Sequence, residues 1–220
     1  MSNITNIYSI TGANGDVAKH IIDKLNKTDN HLHLYSTREN KFESNKKVFF
    51  NKLSDYLNID FPFNSNKLLV CNGVFKFGKF ISDSNDSISD LVTGNFTSIL
   101  QIVNQYLKAT ESVEKRDIYI FGSTAAYDLG ADVAVYAASK FGLRGFVTSL
   151  NKEYSQFNTR FTLISFGTVN NEMGLKVPNQ DQSTLLKPQN LAEQIVNIME
   201  SELEIHQPEI VIRRRFTQVH

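Results

Sequence analysis

The chain has 220 residues, of which 41% are hydrophobic, and its 23 basic residues balance its 23 acidic ones. This length suits one domain with its own core, so we expect a single domain over residues 1–220. The balanced charge argues against a nucleic-acid-binding protein, which usually carries a basic excess. One cysteine excludes an intramolecular disulfide framework and a thiolate metal cluster, and it indicates a reducing compartment, which we expect to be the cytoplasm.

Short apolar runs predict seven strands along the chain: Asn6–Thr11, His31–Tyr35, Lys47–Phe50, Lys67–Cys71, Asp117–Phe121, Arg160–Ser165 and Glu209–Ile212. Helical spacing of apolar residues predicts four helices: Val17–Leu25, Ile88–Leu107, Tyr136–Phe157 and Pro188–Glu202. About 16 residues separate the third and fourth strands, so the helix between them should be short or missing. The alternation predicts an α/β fold with three layers, doubly wound around a mostly parallel sheet of about seven strands.

Three features argue against other kinds of site. The N-terminal residues lack the pattern of a signal peptide, and no apolar stretch approaches the roughly 18 residues that cross a bilayer, so we expect no membrane association. His31 and His33 lack a cysteine or acid at ligand spacing, so we expect a structural role for them and no metal. The basic run Arg213–Arg215 is expected to be a solvated strand end, with an oligomer contact as the alternative.

The segment TGANGDVA, Thr11 to Ala18, follows the first predicted strand and opens the first predicted helix. Gly12 and Gly15 allow a tight turn and a close backbone approach to a phosphate, while Ala18 lets the helix pack on the sheet. The N-terminus of the helix then presents amide groups and the positive end of its dipole. This pattern predicts a dinucleotide site.

The second strand leads into Ser36, Thr37 and Arg38 without an acidic residue. Sites that prefer NAD usually place an acid here for the ribose 2′-hydroxyl, whereas small hydroxyls and an arginine suit a 2′-phosphate. We therefore expect NADP(H) to be preferred, with NAD(H) possible. Glu39 could pair with Arg38 or meet the ribose itself.

Ser123, Tyr136 and Lys140 form the strongest catalytic pattern. Tyr136 and Lys140 lie one helical turn apart, so we expect the ammonium to lower the pKa of the tyrosine from its usual value of about 10. Such a tyrosine can exchange a proton with a carbonyl or alcohol oxygen. Ser123 follows the fifth strand, where its hydroxyl could hold the same oxygen.

With these motifs the chain resembles compact members of the short-chain dehydrogenase/reductase family, which have a Rossmann fold. Asn72-Gly73, Gly94-Asn95 and Gly167-Thr168-Val169 are similar to further family motifs. The resemblance implies a catalytic set and a cofactor-binding set. The catalytic set is Asn95, Ser123, Tyr136 and Lys140. The cofactor-binding set is Gly12, Asn14, Gly15, Asp16, Val17, Ser36, Thr37, Arg38, Asn51, Asn72, Gly73, Tyr136, Lys140, Gly167 and Val169.

The resemblance implies an NADP-dependent oxidoreductase that reduces a small carbonyl compound or oxidises the alcohol. Two alternatives stay open: a non-catalytic dinucleotide-binding sensor or scaffold, and a nucleotide-sugar reductase or epimerase, which the glycine spacing favours. The segment 170–187 should form a substrate lid. A homodimer or homotetramer is expected, because two helices carry more apolar residues than one buried stripe needs. These residues are Phe96, Ile99, Leu100, Ile102, Val103, Phe141, Leu143, Phe146, Val147 and Leu150.

Overall fold

The strands and helices follow the predicted order in the computed structural model, which describes residues 6–39, 42, 47–201 and 205–215. The strands are β1 Ile7–Thr11, β2 His31–Ser36, β3 Val48–Lys52, β4 Lys67–Val70, β5 Arg116–Phe121, β6 Thr159–Phe166 and β7 Glu209–Ile212. The α-helices are α1 Asp16–Leu25, α2 Asn85–Val92, α3 Ser98–Ala109, α4 Ala134–Glu153 and α5 Pro188–Met199. The predicted end of the last helix, Glu202, lies outside the described residues.

All seven strands belong to one sheet in the order β3-β2-β1-β4-β5-β6-β7. Every neighbouring pair is parallel, so the predicted doubly wound Rossmann-type fold is confirmed. The strand order reverses between β1 and β4. The carboxyl ends of these two strands therefore border the crevice where such sheets bind ligands.

Two apolar cores cover the two faces of the sheet. One core lies between the sheet and the helices α1 and α5, and includes Ile10, Leu34 and Ile195. The other lies under α3 and α4, and includes Leu68, Ile102 and Leu143. The central strand β4 contributes to both cores because successive side chains of a strand point to opposite faces.

The connection between β3 and β4 contains no helix, as the short spacing predicted. Ile59 and Phe61 from this connection are buried in the core beneath α3. The ring of Phe61 makes edge contacts with Tyr35 and Tyr106, at centroid distances of 5.2 and 5.5 Å. An aromatic cluster thus closes the part of this core that the short connection leaves without a helix.

The prediction of one continuous helix over Ile88–Leu107 is wrong at its centre. A π-helical turn, Thr93–Thr97, separates α2 from α3. Its Asn95 side chain is fully buried and bonds to the backbone of Val74. A Cβ atom on Gly94 would lie 2.9 Å from a methyl group of Val74. The widened turn therefore lets the helix approach the segment after β4, in line with the frequent occurrence of π-bulges at functional sites.

None of the helices in the described ranges is long and apolar enough to cross a membrane.

Candidate active site

The turn after β1 touches the turn after β4 through their backbones. Gly12 has φ +67°, and a Cβ atom there would lie 2.8 Å from the carbonyl carbon of Cys71. Both the backbone conformation and the lack of space require glycine at this position. Gly15 is the N-cap of α1 and offers no side-chain cap, so the first amide groups of the helix, from Asp16 and Val17 onward, face the crevice without one.

Three polar atoms beside this crevice are buried without a hydrogen-bond partner in the described parts of the chain: Thr11 Oγ1, Asn14 Oδ1 and Asn72 Oδ1. An unpaired buried polar atom is costly, and such atoms are uncommon in native proteins. These three atoms lie at the ends of β1 and β4, around the uncapped N-terminus of α1. The residues present therefore fit a bound dinucleotide, whose hydroxyl groups can donate to the two asparagine oxygens and whose phosphate groups can accept from the free amides of α1.

Asn14 ties the glycine loop to the end of β2. Its Nδ2 donates to Ser36 Oγ at 3.1 Å and to the backbone oxygen of Glu39 at 2.8 Å. Ser36 Oγ also accepts from the amide of Arg38 at 3.1 Å. Thr37 and Arg38 are exposed. The Glu39 carboxylate pairs with Lys52 and not with Arg38, which was one of the two roles considered for it.

The turn after β4 is held by Asn95 from the other side. Asn95 Oδ1 accepts from the amide of Val74 at 3.0 Å, and Asn95 Nδ2 donates to the Val74 carbonyl at 2.8 Å. A Cβ atom on Gly73 would lie 3.1 Å from Asn95 Oδ1 and 3.7 Å from Lys140 Nζ. Gly73 therefore lies between the two predicted catalytic side chains.

Ser123, Tyr136 and Lys140 meet at the carboxyl edge of the sheet. Ser123 follows β5, and its Oγ accepts from the amide of Ala125 at 3.1 Å, which leaves the hydroxyl proton of Ser123 free to be donated. Tyr136 and Lys140 lie on α4, with the Lys140 Nζ 5.9 Å from the centre of the tyrosine ring. Lys140 is buried and donates to the Phe121 carbonyl at 3.2 Å.

The expected lowering of the tyrosine pKa is wrong for the protein alone. Burial raises the pKa of Tyr136 above its usual value, and the neighbouring Ser123 hydroxyl lowers it only in part. Burial also lowers the pKa of Lys140 to about 8, because the ammonium leaves water without a carboxylate partner among the described residues. With a pKa of about 8, Lys140 still carries most of its positive charge at pH 7, but this charge does not offset the effect of burial on the pKa of Tyr136.

The remaining predicted residues lie around the same edge. Asn51 is exposed near the end of β3, opposite Tyr35 in the register. Gly167 follows β6, and its amide donates to the Ile212 carbonyl at 3.0 Å. Val169 is buried and bridges to Leu186, which joins the two ends of the expected lid.

Sequence analysis missed Phe75 at this edge and did not assign Arg214 to the site. Phe75 packs edge-on against the Tyr136 ring, with 4.9 Å between ring centroids. Arg214 places its side chain 3.9 Å from the position of a Cβ on Gly167, and its guanidinium donates to Gln180 Oε1 at 3.0 Å. The expectation of a solvated end for Arg213–Arg215 is therefore wrong for Arg214, and Arg213 pairs with Asp128. Position after a strand was the available signal for both residues.

The comparisons with known proteins agree with this geometry. A family profile described as short chain dehydrogenase matches residues 10–182, so the chain belongs to the short-chain dehydrogenase family of oxidoreductases. Carbonyl reductase family member 4 of Xenopus tropicalis is 23% identical over 171 residues, which cover 75% of this chain and 69% of that protein.

Solved structures share the fold. One is the alcohol dehydrogenase of the archaeon Thermococcus sibiricus complexed with 5-hydroxy-NADP, which superposes with a TM-score of 0.81 at 16% sequence identity. The alignment covers 99% of this chain and 100% of the alcohol dehydrogenase chain. A 4-hydroxyisoleucine dehydrogenase complexed with NADH has a TM-score of 0.79 at 18% identity, and covers 96% and 97% of the two chains.

The buried Lys140 should cost the protein stability at neutral pH. The pKa of Lys140 is lowered from 10.5 to about 8 on folding, so between these values the unfolded chain binds a proton that the folded chain does not. Stability should therefore rise with pH over this range. Replacing Lys140 by methionine should raise the free energy of unfolding at pH 7 by about 1–3 kcal/mol, and this gain should shrink towards pH 10.

Urea unfolding at pH 7 and pH 10 measures both effects. Lys108→Met, which removes an exposed lysine at the end of α3, is the matched control and should leave the pH dependence of stability unchanged. A Lys140→Met protein that is less stable than the wild type at pH 7 would contradict this account.

Proposed function

We propose that the protein is an NADPH-dependent carbonyl reductase, able to oxidise the corresponding alcohol, with Tyr136 as its acid and base. The convergence of Ser123, Tyr136 and Lys140 beside the glycine loop carries this proposal. Membership of the short-chain dehydrogenase family and the solved relatives complexed with NADP or NADH support it. All seven described strands lie in one sheet, which supports our expectation of a single domain.

The bound cofactor would lie between the glycine loop and the turn after β4. Gly12, Asn14, Gly15, Asp16 and Val17 would hold the pyrophosphate and adenosine side. The nicotinamide side would lie against Asn72, Gly73, Gly167 and Val169, and Asn51 would meet the adenine. When bound, the nicotinamide ring supplies or accepts the hydride of the reaction.

The chain's own residues supply the proton chemistry. Tyr136 would donate its phenolic proton to the carbonyl oxygen. Ser123 would donate a hydrogen bond to the same oxygen, since its Oγ already accepts from Ala125. One N–H group of Lys140 donates to the Phe121 carbonyl, and the others would donate to the ribose hydroxyls and to Tyr136. Asn95, on the far side of Gly73, would help to hold a water that leads to Lys140.

Removing the hydroxyl group of Tyr136 should abolish catalysis without weakening cofactor binding. We expect Tyr136→Phe to lose turnover with an NADPH affinity within about twofold of wild type, because the ring and its packing survive. Ser123→Ala should bind NADPH normally and react slower by a factor on the order of 10² to 10³. Lys140→Ala should harm both binding and rate. Steady-state kinetics and fluorescence titration with NADPH measure these effects.

Two further results would test the role of Tyr136. Tyr154→Phe removes a hydroxyl from the other end of α4 and should keep wild-type turnover. The rate of reduction should fall at high pH, where Tyr136 loses the proton that it donates. Wild-type reduction by the Tyr136→Phe protein would defeat the mechanism and favour a sensor that binds a dinucleotide without turning it over.

A preference for NADPH over NADH rests on the end of β2. Arg38 is exposed, has no ion-pair partner within the described ranges, and follows Ser36 and Thr37 without an intervening acid. The Glu39 carboxylate, which could accept from a ribose hydroxyl, pairs with Lys52 instead. The Arg38 guanidinium would then form charge-assisted bonds to the 2′-phosphate.

Fluorescence titration with both cofactors tests this preference. Arg38→Ala should weaken NADPH binding by about 10- to 100-fold, as expected for a lost charge-assisted hydrogen bond, and NADH binding by less than about twofold. Lys108→Ala removes one positive charge at the amino edge of the sheet and should affect both cofactors alike. Tighter binding of NADH by the wild type would refute the preference.

Association into dimers or tetramers would use the outer face of α4. Six of the apolar residues counted as surplus are buried within the chain itself: Ile99, Ile102, Val103, Leu143, Val147 and Leu150. Fewer apolar residues are therefore free for contacts between subunits than the sequence predicted. Phe141 is one that remains, since it is 56% exposed. It shares one face of α4 with Gly145 and Thr148 at helical spacing, while Phe96, Leu100 and Phe146 are half-buried.

We expect light scattering at micromolar concentration to give the mass of two or four chains. Phe141→Glu should shift this mass towards one chain, because a carboxylate would be buried in the apolar contact. Phe157→Glu, which changes an equally exposed ring beyond the end of α4, should not. A single-chain mass for the wild type would exclude the association.

A further inference from the structure

Phe75 lies in contact with the tyrosine that the proposed reaction uses. Its ring and that of Tyr136 are 4.9 Å apart between centroids, and their planes meet at 88°. The preceding residue, Val74, is fixed by two hydrogen bonds to the buried Asn95 side chain. The position of Phe75 is therefore set by the packed interior rather than by a free loop.

Further exposed apolar side chains lie on the loops that follow β4, β5 and β6. Carboxyl ends of parallel strands share one edge of a sheet, so these loops lie on the same side as Tyr136. The amide of Gly78 donates to the Asp132 carbonyl at 2.8 Å, which joins the first two loops. The exposed members, with Phe75, form what we call the apolar rim: Val74, Phe80, Ile81, Leu129, Met173 and Leu175.

Charged groups on the loops after β4 and β5 form two ion pairs. Lys76 pairs with Asp83 at 2.6 Å, and Asp128 pairs with Arg213. These four charged groups have partners within the protein, while the exposed large side chains of the rim are apolar. Exposed apolar groups at the edge of the sheet that holds a reactive side chain favour a ligand-binding surface with an apolar lining.

We propose that the apolar rim binds the non-reacting part of the substrate, so that the substrate is a carbonyl compound with an aromatic or aliphatic body. Phe75 is its specificity-determining residue. This inference rests on the proposed function, because that function places the reacting carbonyl at Tyr136. A sugar or nucleotide sugar would instead bring hydroxyl groups against Phe75, where they would lose water without gaining a hydrogen-bond partner.

Reduction of benzaldehyde and of glyceraldehyde by NADPH separates these substrate classes. We expect the wild type to have a kcat/KM for benzaldehyde at least about tenfold above that for glyceraldehyde. Phe75→Ala should lower kcat/KM for benzaldehyde on the order of tenfold, as for a lost contact in an apolar pocket, and should leave glyceraldehyde within about twofold. Phe75→Leu, which keeps an apolar side chain, should recover most of the benzaldehyde activity.

The control is Phe63→Ala. Phe63 is 74% exposed on the connection that precedes β4, near the amino edge of the sheet, and its loss should change neither substrate. An unchanged glyceraldehyde rate in Phe75→Ala also shows that Tyr136 still works, which a general disturbance of the site would not allow.

A binding measurement tests the inference without turnover. Benzamide carries an aryl carbonyl that the enzyme cannot reduce, so its affinity for the NADPH complex can be followed by saturation-transfer NMR. Phe75→Ala should weaken benzamide binding on the order of tenfold, and Phe63→Ala should not.

The outcomes distinguish a failure of the apolar-rim proposal from a failure of the proposed carbonyl reductase function. Reduction of glyceraldehyde in preference to benzaldehyde, with benzamide binding unaffected by Phe75→Ala, would overturn the apolar rim and leave a carbonyl reductase. Benzamide binding that depends on Phe75 in a protein that reduces neither aldehyde would support the rim and overturn the proposed function.

Discussion

Most of the candidate site depends on the backbone contact between the turn after β1 and the turn after β4. Gly12 adopts φ +67° and leaves no room for a side chain against Cys71 and Asn72. That contact fixes the turn after β4 on one side, and Asn95 fixes it on the other through Val74. The successive residues Asn72, Gly73, Val74 and Phe75 then border the cofactor crevice, Lys140 and Tyr136.

The two buried lysines of the described structure show how this edge differs from the rest of the protein. Lys67 donates to the Met199 carbonyl at the end of α5 and lies 3.8 Å from a carboxylate oxygen of Glu200. Lys140 has a carbonyl partner and no described carboxylate. Burial lowers the pKa of both, but only Lys67 has a charge partner that offsets part of the cost. An uncompensated buried cation beside a tyrosine is typical of a functional site rather than of a structural one.

Sequence alone predicted the fold well because each element had an unambiguous local pattern. The glycine loop, the apolar strands and the proline at the start of α5 predicted the strand bounds and the starts of α1 and α5 to within two residues. The end of α4 was predicted at Phe157, four residues beyond the observed end at Glu153. The π-helical turn around Asn95 was not predictable, because its cause is a contact with Val74, 21 residues away along the chain. The number of apolar residues on α3 and α4 left for contacts between subunits was overestimated for the same reason. Helical spacing shows that a helix has a second apolar face, but it does not show whether another part of the same chain packs against that face.

Electrostatics was the least predictable part of the site. The spacing of Tyr136 and Lys140 placed both on one helix, but a pKa depends on how far each group is removed from water and on what else it meets. Here burial acts in opposite directions on the two groups, raising the pKa of the phenol and lowering that of the amine. Both shifts favour the neutral forms, but at neutral pH the protein alone still holds a protonated tyrosine next to a lysine that keeps most of its positive charge. A cofactor that brings phosphates and hydroxyl groups into this edge would favour the ammonium form of Lys140. The charge of Lys140 would then persist to a higher pH in the cofactor complex than in the protein alone, and a charged Lys140 favours the ionised form of Tyr136.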